Sequence, residues 1–234
     1  MMSEAVSPAV QSGRRLIRTA LGSSAYAALA LIGAGRLDWG RGWLYAAMFV
    51  VVSVGGTAVV LRADPAVLVA RAKSLRDDTK PFDRLFYALF LPLIALMPIV
   101  AGMDAGRFGW APLPGWTTIP GVVLFVAGSA LSTWTLLVNT HAESTVRIQS
   151  DRAHAVVQSG PYRLVRHPMY LGTLIGLPAA ALMLGSTWAL LPAALITALF
   201  VWRAAREDDA LLRELPGYTD YATRVRHRLL PGVW

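Results

Sequence analysis

The 234-residue chain contains no cysteine. Disulfide staples, thiolate metal sites and a cysteine nucleophile are therefore excluded. Charge is scarce too, at 15% of residues against 55% hydrophobic ones, with a mean hydropathy of +0.49. The charged residues are bunched between apolar runs rather than spread along amphipathic stripes, which argues against a water-soluble domain and for a multi-span membrane protein. The four histidines, His141, His154, His167 and His227, show no metal-ligand spacing, so no metal is expected. A glycine-rich phosphate loop, a dinucleotide fingerprint and a serine elbow are all missing, and with them any cofactor domain of the soluble type. There is no internal repeat, no low-complexity segment and no linker long enough to separate two domains.

What the chain does have is six apolar runs, near 18–34, 42–61, 85–103, 117–138, 169–185 and 187–202. Each is long enough, or nearly so, for a hydrocarbon core of about 30 Å. The expected fold is an all-α integral membrane protein of about six transmembrane helices (five to six), both termini cytoplasmic, ending in a helical hairpin and an amphipathic cytoplasmic helix. Orientation comes from the lysines and arginines: nineteen fall on one side, and only Arg36, Arg41 and Arg107 on the other. Removing one span would carry the basic residues from Arg203 to Arg228 across the membrane, so 169–202 reads as a hairpin turning at Gly185-Ser186. Topology and attraction to anionic lipid account for the net charge of +8. No nucleic-acid module accompanies it, and nucleic acid is not an expected partner. The first apolar run lacks a convincing cleavage pattern and reads as span one rather than a signal peptide.

Composition changes after Asn139. Residues 1–138 read as a transmembrane scaffold of spans one to four, with Pro92 and Pro98 kinking the third. The segment around Arg76-Asp77-Asp78-Thr79-Lys80-Pro81 reads as a solvated connector. Residues 139–234 carry the chemistry.

In that half, Arg166-His167-Pro168 predicts a helix starting at about Pro168, because proline drives the residue before it out of the helical region and suits the first turn itself. His167 then sits near the N-cap, where free N–H groups and the helix dipole favour an anion. Gly160-Pro161 makes a turn upstream, and Tyr162 and Tyr170 flank the cluster. Interface anchoring explains any one of these residues, but it explains the histidine-proline pair less well. Arg203 and Glu207 are four apart and share a helix face, so they pair with each other or address one ligand. If 169–202 is a hairpin, it returns them to the membrane face that Pro168 leaves. After Pro216-Gly217, the stripe Tyr218, Tyr221, Val225 and Leu229 marks an amphipathic stretch that lies on headgroups or closes over a ligand. His154, in the polar connector upstream, reads by itself as a solvated loop histidine.

Taken together, Gly160-Pro161-Tyr162, Arg166-His167-Pro168-Met169-Tyr170-Leu171-Gly172, Glu207, and Gly217-Tyr218 through Tyr221 and Arg224 to Leu230-Pro231 resemble the isoprenylcysteine carboxyl methyltransferase family. These are integral membrane enzymes with bacterial homologues, related to the phospholipid methyltransferases. The resemblance covers about residues 139–234; the first three spans carry none of it. It implies S-adenosylmethionine as methyl donor. Tyr162 and His167-Pro168-Met169-Tyr170 match the family's cofactor-binding turn, and His154, Ala155, Val156 and Val157 match a cofactor-contacting strip. Glu207 matches the cofactor-binding glutamate, and Gln149 is a looser match across a small gap. Arg203 matches the arginine on the substrate side. Where eukaryotic members carry consecutive glutamates, this chain has Glu207-Asp208-Asp209.

The function this implies is a membrane methyltransferase acting on a lipophilic small molecule or lipid that enters from the bilayer. A carboxylate acceptor would be oriented by Arg203 and needs no general base. An amine or thiol must lose a proton, a task for His167 or a tyrosine. The short chain and its charge pattern fit a bacterial cytoplasmic membrane with the active site on the cytoplasmic face. Two other readings stay open: a membrane NADPH-dependent reductase of the sterol-reductase type, and a non-catalytic lipid-binding protein.

Overall fold

The computed structural model describes residues 8–72, 79–147 and 154–234, all of them helical or irregular, with no β-strand among them. Helix α1 spans Pro8–Ala34, α2 Gly40–Ala63, α3 Pro65–Arg71, α4 Pro81–Ala101, α5 Thr118–Val138, α6 Pro168–Leu184, α7 Leu190–Glu214 and α8 Tyr218–Arg224. Four helices are long and apolar enough to cross a membrane: α1, α2, α5, and α4 together with the turn that follows it. The protein is an all-helical integral membrane protein. Helix α6 is apolar but has only 17 residues, about 25 Å at the helical rise.

Local sequence sets the helix ends. Pro65, Pro81 and Pro168 each occupy the first turn of a helix, where the missing N–H costs nothing. Asp64 caps α3 by accepting from the Ala66 N–H at 2.9 Å. Pro92 and Pro98 both lie inside α4, and four residues after Pro98 the chain widens into a π-helical turn, Gly102–Phe108.

Helices α5 and α6 pack most intimately, and glycine is the reason. A Cβ on Gly128 would lie 2.5 Å from the Gly172 carbonyl oxygen, and one on Gly172 would lie 2.6 Å from that of Gly128. The two backbones approach as small residues allow helices to do in lipid, where dispersion replaces the hydrophobic effect as the driving force.

As expected, α6 and α7 form a hairpin, turning at Gly185 (φ +74°). Its tip reaches the same depth as the α4–α5 connection: Leu113 N–H donates to the Gly185 carbonyl at 2.7 Å, and Ser186 Oγ donates to Asp104 at 2.6 Å. Arg41, one of the three minority-side cations, donates here to the carbonyls of Leu113 and Pro114. The opposite end of the bundle gathers the C-termini of α2 and α5, the N-termini of α4 and α6, and the polar extension of α7.

Candidate active site

At that polar end a cleft opens among the Asn139–Arg147 segment, the 154–157 strip, the Gly160–Arg163 turn, the start of α6, the last three turns of α7, and α8. His154, Ala155, Val156, Val157, Tyr162, His167, Met169, Tyr170, Arg203 and Glu207 all line it. Pro168 is buried behind them as the first residue of α6. Gln149 lies outside the described residues. The separation in sequence is bridged by the hairpin: Tyr170 Oη donates a very short hydrogen bond to Glu207, 37 residues away.

His167 is the N-cap of α6, and its ring stacks on Tyr170 with the planes 6° apart. The imidazole stands between two acids, with Nδ1 3.9 Å from Glu207 and Nε2 3.5 Å from Asp208. Glu207 keeps its carboxylate at the cleft surface, with 23% of its side chain exposed against none for Asp208. That difference sets their surroundings apart: Glu207 faces the open cleft, and Asp208 faces inward.

Asp208 is a hub that sequence reasoning passed over as the second of three consecutive acids. Its carboxylate accepts from Tyr218 Oη at 2.7 Å and from Arg228 Nε at 2.9 Å, with Arg166 Nη2 at 3.2 Å. Burial works against its charge, yet attraction from His167, Tyr218 and Arg228 outweighs this and holds the carboxyl well below the usual range. The tail is tied to the same place through its backbone: Arg166 and His167 N–H groups donate to the carbonyls of His227 and Arg228 at 3.0 and 2.9 Å. The amphipathic stretch after Pro216 thus closes on the protein, with Tyr218 and Tyr221 buried and Tyr221 Oη donating to the Tyr162 carbonyl at 2.8 Å.

Arg203 does not pair with Glu207 among the described contacts. Its Nε approaches Asp83 Oδ1 to 2.8 Å as an ion pair out of line for a hydrogen bond, and Nη2 donates to the Ser144 carbonyl at 2.7 Å. The rings of Phe86, Tyr87 and Tyr170 surround its guanidinium at 4.4 to 5.4 Å. Asp83 also accepts from Val146 N–H at 2.8 Å, and Tyr87 donates to the Ser144 carbonyl at 2.5 Å. The wall built by Asn139–Arg147 is therefore held by α4, from the half of the chain that composition reads as scaffold. Asp83 lies two residues beyond the mixed-charge stretch read as a solvated connector, and it is fully buried. Its one sequence signal was a single acid at the entrance to an apolar run.

His154 is not the solvated histidine its sequence context suggests. Its ring packs 4.9 Å from that of His141, and burial, then repulsion from His141, lowers its pKa to about 4. Within the same wall Glu143 and Arg147 form a buried bidentate pair at 2.8 and 3.0 Å.

The cleft fits the cofactor that the resemblance implies. It offers an acid at its surface in Glu207, a basic cluster at a helix start in Arg166 and His167, and apolar and aromatic walls in Val156, Leu211 and Tyr218. Among the described residues, Nε of Arg166 is buried without a hydrogen-bond partner, whereas Nε2 of His167 faces Asp208 at 3.5 Å.

Among comparisons with known proteins, residues 116–215 match the family model of the phospholipid methyltransferases. The solved structure of a eukaryotic intramembrane Ras methyltransferase, isoprenylcysteine carboxyl methyltransferase, aligns at 15% identity over 96% of this chain and 86% of that one, with a TM-score of 0.49. Curated protein sequences give no match. The matched stretch runs from α5 to the end of α7 and includes the helix start at Pro168 and the acid at Glu207.

Proposed function

We propose that this protein transfers a methyl group from S-adenosylmethionine to a lipophilic acceptor, on the cytoplasmic side of a bacterial inner membrane. The observation that carries the reading is the meeting of His167-Pro168-Met169-Tyr170, Glu207, Arg203 and the 154–157 strip around one cleft at the polar end of the bundle. S-adenosylmethionine, when bound, supplies an electrophilic methyl group on a sulfonium.

The residues divide the remaining work. Glu207 takes the ammonium or the ribose hydroxyls, His167 and Arg166 at the start of α6 take the carboxylate, and Val156, Val157 and Leu211 flank the adenine. The tail clasped on Asp208 excludes water from the reacting atoms. Arg203, boxed by aromatic rings, orients an acceptor carboxylate with donors not spent on Asp83 and Ser144. Methyl transfer to a carboxylate forms one O–C bond and breaks one S–C bond with no proton to remove, so positioning does most of what is needed. A carboxylate acceptor suits a cleft in which the candidate base, His167, is already engaged with two acids.

The test is calorimetry on purified protein with S-adenosylhomocysteine and NADPH in parallel, followed by incubation of membranes with methyl-labelled donor. Saturable binding of S-adenosylhomocysteine and a labelled, base-labile, lipid-soluble product are expected. Binding of NADPH alone would overturn the reading in favour of a reductase, and binding without any labelled product would favour a lipid-binding protein.

A further inference from the structure

One polar group in the Asn139–Arg147 wall stands apart from the network around it. Thr145 lines the cleft and is only 4% exposed, and its hydroxyl has no hydrogen-bond partner among the described residues. A buried hydroxyl left unpaired is costly, so its place on a cleft wall marks a point where a bound molecule completes the bond.

The position of Thr145 is fixed from both sides. The Ser144 carbonyl before it accepts from Arg203 Nη2 at 2.7 Å and from Tyr87 Oη at 2.5 Å, and the Val146 N–H after it donates to Asp83 at 2.8 Å. Asp83 Oδ1 in turn stands 2.8 Å from Arg203 Nε. A single buried carboxylate in the first turn of α4 thus sets the guanidinium on α7 and the backbone around Thr145 against each other. Arg71 on α3 adds a second tether: its Nη1 donates to the Ala142 carbonyl at 2.9 Å, and its own carbonyl accepts from Ser144 Oγ at 2.7 Å. Neither the Asp83 contact nor the Ser144 contact occupies Nη1 of Arg203, and Arg203 lines the same cleft as Thr145. A charged donor and a neutral donor are therefore held side by side on one wall.

We infer that Thr145 and Arg203 form one anion subsite, in which the hydroxyl donates to one oxygen of a carboxylate and the guanidinium to the other. The pair discriminates by chemistry. A carboxylate accepts from both groups, an alcohol engages them without the attraction of opposite charge, and an ammonium brings only donors and meets a guanidinium of like charge. Thr145 is thus a specificity residue, supplied by the segment that α3 and α4 hold in place. Identifying the bound carboxylate as the methyl acceptor rests on the methyl-transfer reading; the subsite itself does not.

Calorimetry on the purified protein in nanodiscs tests it, with dodecanoate, dodecanol and dodecylamine as probes and partition into empty nanodiscs subtracted. Wild-type protein is expected to bind dodecanoate saturably and more tightly than the other two. Thr145→Val, which keeps the shape and removes the hydroxyl, should weaken dodecanoate binding about ten-fold or more, the scale of one hydrogen bond to a charged group, and Thr145→Ser should retain it. Equal dodecanoate affinity in wild type and Thr145→Val would overturn the subsite. So would the absence of saturable dodecanoate binding, or equal or tighter binding of dodecanol or dodecylamine. A loss shared by Thr145→Val and Thr145→Ser overturns it as well, since the effect then does not follow the hydroxyl. S-adenosylhomocysteine calorimetry on the same samples keeps the two readings apart. Wild type that binds dodecanoate but no S-adenosylhomocysteine sinks methyl transfer and leaves the subsite standing; the reverse sinks the subsite alone.

Discussion

Glu207 and Asp208 are adjacent acids with opposite surroundings, and substitution should separate them. Glu207→Ala is expected to weaken S-adenosylhomocysteine binding by about 1.5–3 kcal/mol, the scale of a lost charge-assisted hydrogen bond, with little change in melting temperature. Asp208→Ala instead leaves Arg166, His167 and Arg228 around a missing counter-charge. Breaking a buried ionic group by removing one partner costs about 3–5 kcal/mol, so thermal unfolding should shift markedly. Equal melting temperatures for the two variants would contradict this division. Acid adds a further test. The Asp208 carboxyl is held below its unfolded value, so its stabilisation is present above about pH 4 and is lost as pH falls through the folded pKa. His154, lowered to about 4, is neutral in the fold and protonated in the unfolded chain at intermediate pH. Stability should therefore fall as pH drops from about 6.5 toward 4, and His154→Gln should flatten that limb in a pH series of melting curves.

At the scale of elements, the helices that hydrophobic length and proline mark were legible in the sequence: α1, α2, α4 and α5, and the start of α6 at Pro168. The hairpin was legible because charge asymmetry demanded it. What escaped were partnerships across long separations. Nothing local to Asp83 says that it meets Arg203 120 residues later, or that α4 holds the Asn139–Arg147 wall. The i, i+4 spacing of Arg203 and Glu207 left mutual pairing or a shared ligand open, and it could not show that Asp83 and the Tyr170 hydroxyl are their partners among the described contacts. The glycines divide by role in the same way. Gly128→Leu should lower the melting temperature substantially by pushing α5 off α6, since its Cβ has no room, whereas Gly176→Leu should not.

For the whole molecule, the bundle has a polar end that holds the cleft and an opposite end where Arg36, Arg41 and Arg107 gather near the hairpin tip. The absence of native cysteine makes this polarity easy to test. Single cysteines at Leu37 and at Arg213, both exposed, should react with a membrane-impermeant maleimide from opposite sides of sealed vesicles. Reaction of both from one side would mean that the two ends do not flank a bilayer.

The closure of the tail on Asp208, Arg166 and His167 also bears on biosynthesis. The helix start at Pro168 leaves the ribosome about sixty residues before Arg228 does, and until then Asp208 lacks one of its cations and His167 its backbone acceptor. Insertion of the helices can run ahead during translation, but the cleft at the polar end is completed only as a late post-insertion event. On the proposed methyl-transfer reading, chains truncated before Arg228 should fail to bind S-adenosylhomocysteine.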